Sequence, residues 1–480
     1  MSEQPDPRRW RILSVSLLVG FMSLLDVTIV NVAIPSIRAG LETTAGTVQW
    51  VVSGYALAFG LTLVAGGRLG DAHGRRRLMT LGLVGFIVSS AAVGLAPNAA
   101  AIVVARLAQG ASAGFLTPQN SGLIQQFFTG AERGRAFGLF GFTVSVASAS
   151  GPLIGGAIIA LLGEEQGWRW LFLVNVPIGL VALVLVRRLV PADSGHARGE
   201  GHDPRIDVVG ALLLGLAVLA VLYPLVSAES GARLPLLLLP GVLPLVWGFV
   251  RWERRTVERG LPPLLDVSLL RRLPGYADGL AVGTLYFTGF TGIFLVLSVH
   301  LQEGEGLTAM QTALLLTPFA AGAATTSLLA GRLVSRIGRR ITLLALGVMM
   351  TGTALSALVV VAETGDLWWT LAPAMFLAGV GGGGVISPNF TLTLQEVPPS
   401  MGGAAGGALQ TGQRIGSALG AALLMTVYQV SLDLTSAPVA ARSALVAALV
   451  VLSIAFAMAV RSARHAASPD ADPTASAAGR

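Results

Sequence analysis

The sequence predicts an all-α polytopic membrane protein made of two related halves, and three observations predict it. Of 480 residues, 53% are hydrophobic and 12% charged, with a mean hydropathy of +0.73. Such values lie outside the range of soluble domains. The apolar residues gather into fourteen runs, each near the roughly 20 residues that a bilayer-spanning helix needs. Finally, one phrase is written twice. Gly67-Arg68-Leu69-Gly70-Asp71-Ala72-His73-Gly74-Arg75-Arg76 recurs 264 residues later as Gly331-Arg332-Leu333-Val334-Ser335-Arg336-Ile337-Gly338-Arg339-Arg340. Two related halves in a membrane chain are the plan of a transporter whose binding site lies between them.

The runs span 12–35, 47–69, 78–96, 99–128, 134–162, 169–190, 207–227, 235–251, 275–301, 309–334, 341–361, 367–393, 402–430 and 440–461. The eighth is the weakest, being short and carrying Pro235, Pro240 and Pro244. A second correspondence lays Ala105–Pro118 over Met375–Pro388, so runs 1–6 map onto runs 9–14. Runs 7 and 8 are then an insertion. The expected organisation is an N-terminal tail (1–11), a six-helix bundle (12–190), a linker (191–206), two inserted helices (207–251), a second linker (252–274), a second six-helix bundle (275–461) and a disordered tail (462–480).

All 32 basic residues are arginines. With the N-terminus placed in the cytoplasm, 26 fall in inside segments and four (Arg38, Arg169, Arg233, Arg442) outside, while Arg106 and Arg414 lie within runs. Arginine enriched on one side sets orientation, so both termini are expected inside. The same distribution turns the net charge of +7 away from nucleic-acid binding. No cysteine is present, which excludes disulfides, thiolate catalysis and cysteine metal sites. The five histidines show no metal-ligand spacing, and no cofactor is expected. The first run is too long for a signal peptide and lacks a cleavage site. Gly381–Gly384 is a packing run, not a phosphate loop, because no Gly-Lys-Ser/Thr follows.

Several local phrases then resemble the major facilitator superfamily, in particular its fourteen-helix drug:proton antiporter branch. Leu25-Asp26-Val27-Thr28-Ile29-Val30-Asn31-Val32-Ala33-Ile34-Pro35 is similar to that branch's first-helix signature. Gly67, Leu69, Asp71, Gly74, Arg75 and Arg76 match the superfamily's loop 2–3 motif, and Arg106, Gln109 and Gly110 its fourth-helix motif. Gly151, Pro152, Gly155 and Gly156 resemble the fifth-helix motif of antiporters, and Trp168, Phe172, Asn175, Pro177 and Gly179 the sixth-helix opening. The resemblance implies a major-facilitator-type fold, two six-helix bundles plus two inserted helices, in a bacterial inner membrane. The second loop copy departs from the motif with Ser335 in place of Asp71, so a charge latch on that aspartate is expected on one side only.

The candidate residues follow. Asp26 is the only charge between Ile12 and Ile37; charge at membrane depth is expensive and suggests function, here proton handling, with a structural polar contact as the alternative. Asp26 lies about eight residues, roughly 12 Å, from the outer end of its run, and Arg106 about seven, roughly 10 Å, from the outer end of its own. The two are expected to meet, as a proton-coupling pair or as a static ion pair. A cationic substrate could compete for the same carboxylate. Asn31 and Gln109 join the expected substrate cavity. In the second half, Phe376 stands where Arg106 stands, and Tyr286, Phe290 and Phe294 form one stripe at a spacing of four, suited to lipophilic cations or to plain packing. Phe376 and Arg414 complete the expected substrate cavity, Arg414 as a further buried charge whose partner the sequence does not name, whereas Asp278 and Glu396 read as interfacial. Gly67, Asp71, Gly74, Arg75 and Arg76 would form a cytoplasmic latch, or serve topology alone. Proline bends a helix and small residues admit a close neighbour, so Gly151, Pro152, Gly155 and Gly156 would seal the cavity, or serve ordinary helix packing without gating.

These readings predict a proton-driven exporter of lipophilic, often cationic drugs or toxic metabolites, working as a monomer with substrate, protons and lipid as its partners. A pump dedicated to one antibiotic or metabolite is the nearest rival. An uptake symporter fits less well because the Gly151–Gly156 phrase resembles the antiporter motif, and a membrane enzyme because the outer loops hold only dispersed acids and no catalytic cluster.

Overall fold

The computed structural model describes residues 6–41, 43–192, 207–229, 234–362 and 366–465. Most of the first linker and the C-terminal tail therefore lie outside the described residues, as does Arg233. Among the described residues the chain is helical throughout, and fourteen segments are long and apolar enough to cross a membrane.

The first bundle holds α1 (Arg9–Gly40), α2 (Ala45–His73), α3 (Arg75–Gly94), α4 (Ala99–Phe127), α5 (Gly130–Leu162), α6 (Glu164–Leu173) and α7 (Asn175–Leu189). The sixth expected span is thus broken at Val174, before Asn175 and Pro177. The inserted pair follows as α8 (Val208–Glu229) and α9 (Val242–Glu258). A tight 3-10 turn, Leu234–Gly241, opens the second of these spans, where the prolines stand. α9 continues past residue 251, and a short α10 (Leu269–Arg272) lies in what reads as a linker. The second bundle holds α11 (Pro274–Val299), α12 (Ala309–Ile337), α13 (Arg340–Ala362), α14 (Leu367–Thr393), α15 (Gly402–Leu432) and α16 (Ala437–His465).

Helix boundaries in the repeat follow from glycine. Gly74 ends α2 at φ +99° and Gly338 ends α12 at φ +60°, conformations open to glycine at little cost. Each repeat copy is therefore a helix end, a sharp turn and the basic start of the next helix. Leu81, Val88, Val104, Leu212 and Leu358 point outward and exposed, as side chains in contact with lipid do. The protein is a multi-pass membrane protein.

The bundles meet along two seams, α2 against α15 and α5 against α12. The seams are related by the repeat. Gly67 opens the first copy, and a Cβ there would strike the carbonyl of Gly403. Gly331 opens the second, and a Cβ there would strike Gly134 and Gly138. Helix α8 packs over the first seam, on α2 and α15, and α9 lies outermost against α8.

Candidate functional site: a carboxylate network and an interbundle tie

Asp26 and Arg106 are ion-paired and fully buried. The pair does not stand alone. Asp26 Oδ1 accepts from Gln109 Nε2 (2.9 Å) and Asn175 Nδ2 (2.8 Å), while Oδ2 accepts from Arg106 Nη1. Arg106 Nη1 also donates to Gln109 Oε1 (2.8 Å), and its Nε to the Val51 carbonyl (2.8 Å). Gln109 Nε2 donates on to Ser90 Oγ at 2.7 Å. The Arg106 guanidinium lies 4.2 Å from the Tyr55 ring centroid and 5.4 Å from that of Phe172.

Local structure explains the assembly. Arg106 and Gln109 are three apart on α4 and so share a face. The break at Val174 starts a new helix at Asn175, which aims its amide at Asp26. A buried charge is stable only when paired and hydrogen-bonded, and here six elements of the first bundle supply the partners. The hydrogen-bonding partners of the network thus all come from the first bundle. Both carboxylate oxygens are occupied, so a cationic cargo could not reach Asp26 without displacing Arg106. Asn175, Ser90, Tyr55 and Phe172 escaped selection. Asn175 and Phe172 stood in the quoted sixth-run phrase, and a polar side chain inside an apolar run was the signal for Asn175. Asn31 sits one turn beyond Asp26 on α1, and its side chain lies outside the described residues.

At the arginine-rich end Asp71 bridges the bundles. Its side chain is fully buried and accepts from Gly403 N (3.1 Å) and Ala404 N (2.9 Å) at the start of α15. A carboxylate at a helix N-terminus meets free N–H groups and the positive end of the dipole. Arg75 Nη2 donates to Asp71 Oδ1 and to the Pro399 carbonyl, both at 2.8 Å, and Nη1 to the Gly122 carbonyl and Gln126 Oε1. Arg76 behaves differently. It donates to the Arg187 carbonyl at the end of α7, which ties the first bundle to itself. Ser335, the counterpart of Asp71, is exposed and returns its hydroxyl to Arg332, so this interbundle tie has no copy at the second repeat.

The fifth-run motif touches both bundles. Gly151 abuts Thr28 of α1, inside the first bundle. Gly155 is buried and Pro152 partly buried, while Gly156 faces only the tip of Met310. The close approach of α5 to the other bundle falls earlier, at Gly134, Gly138 and Gly141 against Gly331 and Ser327. α1 lies along α5 from Glu132, paired with Arg9, to Gly151, and α12 along it from Gly134 to Gly156, so the two neighbours flank α5 on different sides.

In the second bundle the aromatic stripe forms. Tyr286 stacks on Phe290 (5.7 Å), Phe290 meets Phe294 (5.1 Å), and Phe319 of α12 contacts both phenylalanines. Tyr286 donates to the Gly382 carbonyl at 3.2 Å. Phe376 is 45% exposed and stands outside this cluster. Asp278 is buried and pairs with Arg461 of α16, so it ties two helices where an interfacial charge was expected. Arg414 lies 4.7 Å from the Phe59 ring centroid across the α2–α15 seam.

Comparison with known proteins gives this architecture its family. Residues 16–421 match the family model of the Major Facilitator Superfamily. The probable actinorhodin transporter of Streptomyces coelicolor is 37% identical over 410 residues, covering 84% of this chain and 70% of that protein. The puromycin resistance protein pur8 of Streptomyces alboniger is 38% identical over 417 residues, 85% of this chain and 80% of that protein. The crystal structure of the human organic anion transporter MFSD10 superposes with a TM-score of 0.70 over 95% of this chain and all of that one, at 16% identity, a likeness of fold alone. With its fourteen spans, its two repeat-related bundles and these matches, the chain belongs to the Major Facilitator Superfamily of transporters.

Proposed function

We propose that the protein is a proton-coupled exporter of lipophilic antibiotics or drugs, working as a single chain by alternating access in a bacterial inner membrane with its arginine-rich end in the cytoplasm. The observation that carries this reading is the enclosed network around Asp26. A carboxylate held by one guanidinium and two amides has a defined charged state and a neutral one that those donors fit poorly. Proton uptake removes the charge that holds Arg106, and the guanidinium is then free to shift against Tyr55.

Helix α2 carries that change to the seam. It supplies the Val51 carbonyl and Tyr55 to the network, and Gly67 and Asp71 to the tie. Tyr55 and Asp71 are sixteen residues apart, roughly 24 Å along one helix. A tilt of α2 at Tyr55 therefore reaches Gly403 as a displacement at the tie. Support for the cargo class comes from the relatives, one named for actinorhodin and one for puromycin resistance. Relatives named for single antibiotics also favour one dedicated cargo as a second reading. The stripe of Tyr286, Phe290 and Phe294 offers flat apolar surface to such molecules.

The test is efflux of a fluorescent lipophilic drug from proteoliposomes under an imposed pH gradient, with Asp26→Asn beside the wild type. The expected result is gradient-dependent efflux that the variant loses while still inserting and folding, at a melting temperature lowered by the loss of Arg106's counter-ion. A variant that pumps as well as the wild type moves the coupling carboxylate elsewhere.

A further inference from the structure

Arg414 is the one charged candidate that belongs to neither the network nor the tie. It stands on α15, two turns past Gly407, where the backbones of α2 and α15 nearly touch. At Arg414 the helices have parted enough for a guanidinium to enter, and it lies over Phe59. Among the described residues no carboxylate or carbonyl is bonded to it. Every other arginine found inside a span at this depth is neutralised: Arg106 has Asp26. A lone guanidinium in the membrane interior is costly, and one aromatic face offsets only part of that cost.

The surroundings are those of a recognition site. Phe59 meets Tyr55 at 5.9 Å with the rings tilted by 37°, and Tyr55 is the ring over which Arg106 sits. Two arginines from different bundles thus stand on neighbouring rings of α2. Leu57, Leu222 and Ile415 make an apolar cluster beside them, to which the inserted helix α8 contributes. The sector offers a cation with unused donors, a flat ring and an apolar wall.

We propose that Arg414 is an anion subsite at the α2–α15 seam, and that the cargo is an aromatic molecule bearing an acidic group that pairs with this guanidinium. A planar fork of donors suits a carboxylate, and the Phe59 face accepts the aromatic body. Placement explains how cargo is felt at the proton site. An anion on Arg414 draws the guanidinium from Phe59, and the Phe59–Tyr55 contact passes the change to Arg106 and Asp26. The inserted helix gains a role as the outer wall of this sector. The proposal rests on the export reading only in calling the bound anion a cargo.

The test is equilibrium binding to the purified full chain in nanodiscs, with no gradient, so its failure leaves proton coupling untouched. Anthraquinone-2-carboxylate and anthraquinone-2-carboxamide serve as matched probes, each measured in chloride and in gluconate buffer. The wild type should prefer the acid by about tenfold or more, the scale of a charge-assisted hydrogen bond. Arg414→Gln should abolish the preference by weakening the acid far more than the carboxamide, with an unchanged elution profile and melting transition showing that the variant is folded. Arg414→Lys should retain part of it. Equal affinities in the wild type, or a preference that survives in Arg414→Gln, overturn the proposal. So does a third outcome: no acid preference, with chloride raising the melting temperature of the wild type but not of Arg414→Gln, which makes Arg414 a site for a small inorganic anion.

Discussion

Removing the Asp71 carboxylate should unfasten the arginine-rich end without unfolding either bundle. Asp71 is buried and holds two N–H groups of α15, at 3.1 and 2.9 Å. A hydrogen bond to a charged group contributes roughly 1.5–3 kcal/mol. Asp71→Ala loses both and leaves Arg75, which keeps its bonds to Gly122, Gln126 and Pro399, short of its one counter-ion. The tied arrangement should lose on the order of 3–5 kcal/mol, about two to four orders of magnitude in population. The chain contains no cysteine, so spin labels can be placed at will. Exposed Arg77 and Glu396 lie on opposite bundles near this end, and cysteines there report their separation by pulsed electron resonance. Wild type should give a short, narrow distance distribution, and Asp71→Ala a longer and broader one. Arg76→Ala should match wild type, because Arg76 bonds only within the first bundle. Superimposable distributions for Asp71→Ala and wild type would refute the claim that this carboxylate ties the bundles.

Two further outcomes are expected. Gly67→Ala and Gly331→Ala each drive a methyl into backbone across a seam and should cost about 1–3 kcal/mol, read as a lower melting temperature. Gly347→Ala, where nothing stands within 4 Å, should leave melting unchanged. Asn175→Leu removes one of two amide donors to Asp26 and should cost about 1–3 kcal/mol, with slower pH-driven efflux; a variant with wild-type stability and efflux would show that Asn175 does not hold the carboxylate.

The depth estimate for Asp26 and Arg106 worked because a helix is a ruler: residue count along each run fixes height in the membrane. Height says nothing about direction around the axis. The pair therefore met as expected, while the rest of its shell, Asn175 of α7 and the Val51 carbonyl of α2, depended on how the helices are turned. The same blindness explains Gly151. The glycine-proline phrase was legible as a place for close packing, but which helix would pack there was not, and it proved to be α1. Phe319 belongs to the aromatic cluster although it lies on a different run from the stripe, and Phe376 matched Arg106 in the alignment yet faces outward. Both depend on how helices are rotated against one another.

By itself the sequence determined the number of spans, the repeat that pairs α2 with α12, the turns at Gly74 and Gly338, and the two charges that need each other. Hydrocarbon forces these, since backbone groups must be satisfied within helices and charge must find a partner. Only the tertiary structure decided which faces meet: that Asn175 completes the carboxylate's shell, that Asp71 caps α15, and that Arg414 finds a ring but no counter-ion. Those facts depend on the rotation and crossing of fourteen packed helices, and close packing fixes them jointly, not one run at a time.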